Sequence, residues 1–387
     1  MKPVRVAIIC DFAEEQWLSM ELTAQLLFDY LSRENSATVR PALLRPPFRR
    51  LFNGLPLWRR SWTVRNVERF INRFWNYPRW LRRYTEQFDV FHIIDQSYSH
   101  LVHHMPKQRT IVTCHDLDVF RCLLEPLHAP RSRLVKVAVR RILNGLRKAA
   151  MVSCVTNAVR QQVVSHGLMP IERTETIRNG IDPTFRPESD GETETEVNRL
   201  IGAPDEESAE LLHVSSAIPR KRIDVLLKVF AAVIAQVPRA RLIHVGGMFT
   251  PDQVRLMQDL GLQTKVKSLP LLPTNILASL YRRAAVSLLP SEAEGFGLPL
   301  AESMACGTPV LASDLDTLRE VGGEAAVYCP VAEVEAWKDA ILALLKCRSE
   351  SPYRWMGLRK ACVLQGSQFT WSESASRTVK LYQQLCQ

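Results

Sequence analysis

The sequence predicts an α/β protein of two Rossmann-like, doubly wound domains with a cleft between them. Three observations predict it. The chain has 387 residues, more than one ordinary domain holds. Short apolar runs alternate with helical periodicity through both halves, the pattern of a buried parallel sheet. A polar stretch at 187–208, rich in Pro, Asp, Gly, Glu and Ser, reads as a linker between domains over 1–186 and 209–366.

The elements follow in order. Residues 4–10 form the first strand, and 17–32 a helix with Leu18, Leu22, Leu26 and Tyr30 on one face. Residues 40–84 hold twelve arginines against one acid, Glu68, interleaved with ten aromatics from Phe48 to Tyr84. Strands are expected at 88–94, 110–114 and 150–155, with a basic helix at 131–148. A strand-like 175–177 runs into the turn signal Asn179-Gly180. In the second half, strands are expected at 211–215, 241–246, 265–269, 285–289, 308–312 and 325–328. Helices are expected at 224–236, 252–260, 273–283, 299–305 and 331–346. Open parallel sheets bind ligands at the carboxyl ends of their strands.

Composition narrows the class. A 46% hydrophobic and 23% charged chain is not disordered. No apolar run approaches the roughly 18 residues of a membrane span, and the first, Val6 to Cys10, is too short for a signal-peptide core. A cytoplasmic protein is expected. The nine cysteines include no pair at zinc or redox spacing and read mostly as buried thiols. Residues 1–180 carry 28 Lys and Arg against 15 Asp and Glu; residues 181–387 carry 22 against 25. Such asymmetry suggests that the first half faces an anionic surface or polyanion.

The richest stretch is Pro290-Ser291-Glu292-Ala293-Glu294-Gly295-Phe296-Gly297-Leu298-Pro299-Leu300-Ala301-Glu302, continuing through Met304-Ala305-Cys306-Gly307-Thr308-Pro309-Val310. A strand ends at Pro290, a glycine loop follows, Pro299 suits a helix start and Gly307 a helix stop. The amides of Gly295, Phe296, Gly297 and Leu298, with the helix dipole behind them, suit a diphosphate. Glu294 and Glu302 are placed to grip hydroxyls. Taken alone, they would read as a capped helix with acidic neighbours. The turn Ser216-Ala217-Ile218-Pro219-Arg220-Lys221-Arg222 puts three cations at a helix start, against the dipole, so they need an anionic partner.

The whole string resembles the signature of the retaining family-4, group 1 glycosyltransferases, which have the GT-B fold of two facing Rossmann-like domains. The resemblance is close from about 211 to 346 and loose in the first half. It implies an N-terminal acceptor domain, a C-terminal donor domain, and a closing helix within 367–387 that returns to the first. It implies that Glu294 contacts the donor sugar, Glu302 the nucleotide ribose and Lys221 the donor phosphates. Ser216 stands where the family has an arginine, a charge that Arg220 is placed to replace. Thr113-Cys114-His115-Asp116 resembles the family's strand-end His-Asp, which implies that His115 reaches the donor sugar, with Asp116 able to fix its tautomer. Arg178-Asn179-Gly180-Ile181-Asp182 resembles a structural turn of the family. The family's Gly-Gly loop after the first strand is missing: Asp11 to Met20 contains no glycine, and Glu15 and Ser19 are the acceptor-side candidates there.

The implied reaction is hexose transfer, mannose slightly preferred, from a nucleotide diphosphate sugar to a glycan or lipid-linked acceptor. It implies no metal and no cofactor beyond the donor. The Arg- and Trp-rich segment suggests docking on the inner face of an anionic membrane, with an ordinary solvated surface as the second reading; nucleic acid is disfavoured, because no nucleic-acid motif accompanies it. A membrane- or nucleic-acid-binding module without catalysis, or a nucleotide-sugar epimerase of the same fold, are the alternatives.

Overall fold

A computed structural model describes residues 2–51, 62–189, 191–205 and 208–386. The chain forms two compact units, Met1–Gly180 with Trp371–Gln387, and Ile181–Thr370.

The first unit is a six-stranded parallel sheet. Its strands are β1 (Val4–Ile9), β2 (Val39–Leu44), β3 (Val90–Ile93), β4 (Thr110–Cys114), β5 (Met151–Cys154) and β6 (Thr174–Thr176), in the order β2-β1-β3-β4-β5-β6. The chain leaves β1 for one edge and returns to lay β3 on its other side, pairing Ile9 with Ile93. That reversal is a topological switch point, where doubly wound sheets open a crevice. Val6, Ile8, Val90 and Ile111 are buried against Leu27 and Leu31 of the helix Leu18–Glu34, and against Val379 and Tyr382 of the helix Trp371–Gln384.

Strand β2 was hidden in the basic segment by Arg40 and Pro41, and an edge strand tolerates both. The rest of that segment is a helical run, Trp62–Ile71, Asn72–Asn76 and Tyr77–Leu81, whose Asn72, Tyr77 and Leu81 are wholly buried. Phe52, Trp58, Arg59 and Arg60 lie outside the described residues.

The second unit is also a six-stranded parallel sheet, of β7 (Glu210–Ser215), β8 (Arg241–Gly246), β9 (Val266–Leu269), β10 (Val286–Leu289), β11 (Val310–Ser313) and β12 (Val327–Cys329). Their order is β12-β11-β10-β7-β8-β9, so the switch point lies between β7 and β10. The expected linker at 187–208 is corrected here. It contains the helix Gly191–Ile201, which buries Val197 and Ile201 beside Phe185, Leu212, Ile243 and Tyr281. Glu192 and Glu194 in its first turn suit the helix dipole. The many polar side chains on its other face concealed the Val197, Leu200, Ile201 stripe. The second unit therefore begins at Ile181 rather than beyond 208.

Candidate active site

The site in the second unit is built where β7 and β10 end side by side. Beyond Ser215, the turn Pro219–Lys221 leads into the helix Ile223–Ile234. Beyond Leu289, the loop through Glu294 reaches Gly297, whose φ of +82° is open to glycine, and enters the helix Leu298–Ala305. The Glu292 amide donates to the Arg220 carbonyl at 2.9 Å, so the two turns are stapled by backbone. Arg220 Nη1 donates to the Ala293 carbonyl at 2.9 Å.

Side chains tie them further. Lys221 Nζ lies 2.5 Å from Glu294 Oε1, and Arg220 Nη1 lies 3.5 Å from Glu294 Oε2. The Ser291 hydroxyl donates to Glu294 Oε1 at 2.7 Å. Arg222 pairs with Asp224 at 2.9 Å and approaches Glu292 at 3.7 Å. The three cations thus have carboxylate partners within the unit, whereas the sequence pointed to an external anion. The Glu294 side chain is only 7% exposed. Burial pushes its carboxyl up, but the charges of Lys221 and Arg220 outweigh this and hold it below the usual range.

Glu302, one turn into the helix, is in a different electrical environment. Burial pushes its carboxyl up to about 7, aided by the charge of Asp182 and resisted by the Tyr281 hydroxyl, which donates to Oε2 at 3.1 Å. The two glutamates of one motif therefore differ in charge state near neutrality. Phe296 is buried edge-on to Phe369, with ring centroids 5.4 Å apart, so its ring packs the loop. Gly295 is buried, Leu298 half-buried and Ser216 exposed at the end of β7. Ser291 and Tyr281 escaped sequence reasoning: Ser291 stood unmarked within the motif, and Tyr281 is 21 residues from Glu302 along the chain.

The first unit holds the remaining candidates. His115 follows β4 and is half-buried. Its Nε2 lies 2.8 Å from the Ile94 carbonyl, which only accepts, so that carbonyl fixes the proton on Nε2. Asp116 was the expected tautomer-fixing group; its Oδ1 accepts from Gln96 Nε2 at 3.1 Å and from the Asp118 amide at 3.0 Å. Gln96 Oε1 in turn accepts from the His115 amide at 3.0 Å. Glu15 is buried, with Oε2 3.6 Å from Arg73 Nη1. Ser19 is exposed in the first turn of its helix, and its carbonyl accepts from the Thr23 hydroxyl at 2.8 Å.

Comparison with known proteins decides the family. Residues 194–357 match the family described as glycosyl transferases group 1, and residues 35–185 match Glycosyltransferase Family 4. The chain belongs to the group 1 glycosyltransferases. This glycosyltransferase is 27% identical over 301 residues to O-antigen chain mannosyltransferase B of Escherichia coli, covering 75% of this chain and 76% of that protein. It is 31% identical over 226 residues to D-inositol 3-phosphate glycosyltransferase of Thermobispora bispora, spanning 55% of this chain and about half, 51%, of that relative. Its fold is similar to sucrose-phosphate synthase from Thermosynechococcus elongatus, with a TM-score of 0.75 at 21% identity over 99% of both chains. It is similar also to Anabaena HepE in complex with UDP and glucose, with a TM-score of 0.72 at 15% identity over 97% and 99%. The two parallel sheets are those of the GT-B fold. Among the described residues no helix is long and apolar enough to cross a membrane.

Proposed function

We propose that this glycosyltransferase moves a hexose, preferably mannose, with retention of configuration from a nucleotide diphosphate sugar to a hydroxyl of a glycan or lipid-linked acceptor. The reading rests on one observation: Lys221, Arg220 and Glu294 meet at the adjoining ends of β7 and β10, beside the loop Gly295, Phe296, Gly297 and Leu298. Glu294 holds the two cations in place before the donor arrives. The diphosphate then shares their charge with the loop amides, where charge grows as the sugar leaves, so a metal ion is not called upon. Freed from Lys221, Glu294 accepts from hydroxyls of the donor sugar, Glu302 accepts from the ribose, and His115 orients the sugar. The bond from the anomeric carbon to the diphosphate breaks as the acceptor oxygen bonds on the same face, and its proton passes to the departing phosphate. The mannosyltransferase relative supports the sugar preference.

The acceptor is reached at a membrane. Phe70 and Trp75 are exposed on the helical run of the first unit beside exposed Arg65 and Arg69, and Arg79 stacks over the Trp75 ring at 3.4 Å. Such a face suits the inner leaflet of an anionic membrane. A thermal-shift panel of UDP, GDP, ADP and dTDP tests the donor assignment. One nucleotide at 100 times its Kd should add about 2.7 kcal/mol of stability. A panel in which none shifts the transition would refute it.

A further inference from the structure

Two histidines in the core of the second unit have no part in the reaction proposed above. His213 and His244 are fully buried and stand opposite each other in the register of β7 and β8. Their rings stack with centroids 5.1 Å apart, and Nδ1 of one lies 2.9 Å from Nδ1 of the other. A neutral imidazole has one N–H and one lone pair, so one ring must donate here and the other accept. The far end of the pair decides which. His244 Nε2 lies 2.8 Å from the Gly247 carbonyl, which only accepts, so the His244 proton is on Nε2 and its Nδ1 is a lone pair. His213 must then donate from Nδ1. Its Nε2 is left to accept, and lies 3.3 Å from the Ser215 hydroxyl, which also reaches the Ser216 carbonyl at 2.9 Å. Burial, His244 and the charge of Lys221 hold the His213 ring well below its ordinary range, and burial lowers His244 too. Both rings are therefore neutral.

The pair ends where the cationic turn begins. The Gly247 amide donates to the Ser215 carbonyl at 3.1 Å. A Cβ on Gly246, whose φ is +133°, would lie 2.2 Å from that carbonyl oxygen, and one on Gly247 would lie 2.7 Å from the Ala217 nitrogen. The loop after β8 thus lies backbone to backbone on Ser215, Ser216 and Ala217. Gln253 Nε2 adds a bond to the Ala217 carbonyl at 3.2 Å. Further along, the turn is stapled to the loop after β10 by the Glu292 amide and by Glu294. An apolar side chain at 244 would leave the Gly247 carbonyl without this donor. Buried polar groups cost stability unless they are met, and two imidazoles that meet each other supply direction that apolar packing lacks.

We propose that His213 and His244 are positioning residues of the donor site: a one-way hydrogen-bond chain, from Ser215 through His213 and His244 to the Gly247 carbonyl, fixes the loop after β8 against Ser215, Ser216 and Ala217 and so sets where the turn presents Arg220 and Lys221 to a diphosphate. The inference rests on the transferase reading above and adds two residues that act through the turn.

The test has two parts. Long-range nitrogen–proton NMR spectra of the full chain, labelled with nitrogen-15 at histidine and recorded at pH 7, show the tautomers. His213 is expected as the Nδ1–H form and His244 as the Nε2–H form, assigned by the signals that His213→Asn and His244→Gln remove. Calorimetry with UDP, GDP and the corresponding monophosphates shows where the turn stands. His244→Leu should weaken the diphosphate that binds about tenfold and its monophosphate much less. His244→Gln, whose amide can still donate to the Gly247 carbonyl, should recover most of the loss. Melting curves show whether the variants fold, and the wild-type tautomers test the chain even where His244→Leu does not. Any other placement of protons on the two rings refutes it. A folded His244→Leu that binds both nucleotides as the wild type does, or loses both alike, refutes the positioning role. Wild-type protein that binds no nucleotide refutes the transferase reading, and the positioning role with it, even where the tautomers are as expected.

Discussion

The ribose role proposed for Glu302 makes nucleotide affinity depend on pH in a direction that can be worked out. Its carboxyl sits at about 7 in the folded chain, against an ordinary 4.5. That gap corresponds to about 3 kcal/mol, an order-of-magnitude figure. The folded-state value is raised, so the cost is absent below pH 4.5, grows as the pH climbs, and is complete above about 7. Glu302→Gln should therefore leave stability near pH 4.5 unchanged and raise it at pH 8, read as the midpoint of denaturant unfolding. In that role the ribose hydroxyls donate to the carboxylate, and a protonated carboxyl accepts from them much more weakly. Nucleotide affinity of the wild type should fall up to tenfold per pH unit below about 6, and binding near pH 6.5 should release a proton. Calorimetry in buffers of different ionisation enthalpy reads that proton. The nucleotide's own phosphate titrates nearby, so the same series on Glu302→Gln supplies the correction: the variant should bind more weakly at pH 8 and lose the extra pH dependence. Wild type and variant with parallel pH profiles would refute both the raised value and the ribose role.

Three further outcomes are expected. Glu294→Gln removes the carboxylate that Lys221 and Arg220 now hold; nucleoside diphosphate should bind several-fold more tightly by calorimetry while sugar transfer falls, and weaker binding would mean that the pair does not compete with phosphate. Gly297→Ala puts a side chain at a φ of +82° with its Cβ 2.5 Å from Leu318 Cδ2; thermal unfolding should show a loss of at least about 1–2 kcal/mol, and nucleotide affinity should drop with it. Arg79, Arg82 and Arg83 changed together to Gln should release the protein from anionic vesicles, at about 1 kcal/mol for each arginine, with donor hydrolysis retained; attachment that ignores both salt and these substitutions would remove the membrane reading.

The eight central strands stood out in the sequence because strands covered on both faces are mostly apolar, as in Val6 to Ile9 and Leu211 to Leu212. Of the four edge strands, β6, β9 and β12 were also read, whereas Arg40 and Pro41 within the basic segment disguised β2. The helix Gly191–Ile201 was lost because only one narrow stripe of it is buried. At the site, the glutamates, Lys221 and the glycine loop were legible because their chemistry is local in sequence. Their electrostatics were not. Lys221 and Glu294 are 73 residues apart along the chain, and only the β7–β10 neighbourhood brings them within 2.5 Å. Asp11 and Asp95 are the same case in the first unit. Each is an ordinary acid after a strand until the register of Ile9 with Ile93 sets them level.

The two switch points differ in charge: at the ends of β7 and β10 Arg220, Lys221 and Arg222 each meet a carboxylate, whereas at the ends of β1 and β3 Arg73 stands alone among Asp11, Glu15 and Asp95. In the proposed reaction one substrate leaves as a diphosphate, so its site must gain from negative charge that increases during the reaction. Lys221 and Arg220 meet that need, and Glu294 prevents them from standing unpaired beforehand. The other substrate attacks as a neutral hydroxyl, and a cationic site would make its oxygen a poorer nucleophile and draw in stray phosphate. The +13 balance of residues 1–180 lies largely on exposed faces such as Arg65, Arg69, Arg82 and Arg83, the faces on which the proposed membrane docking depends.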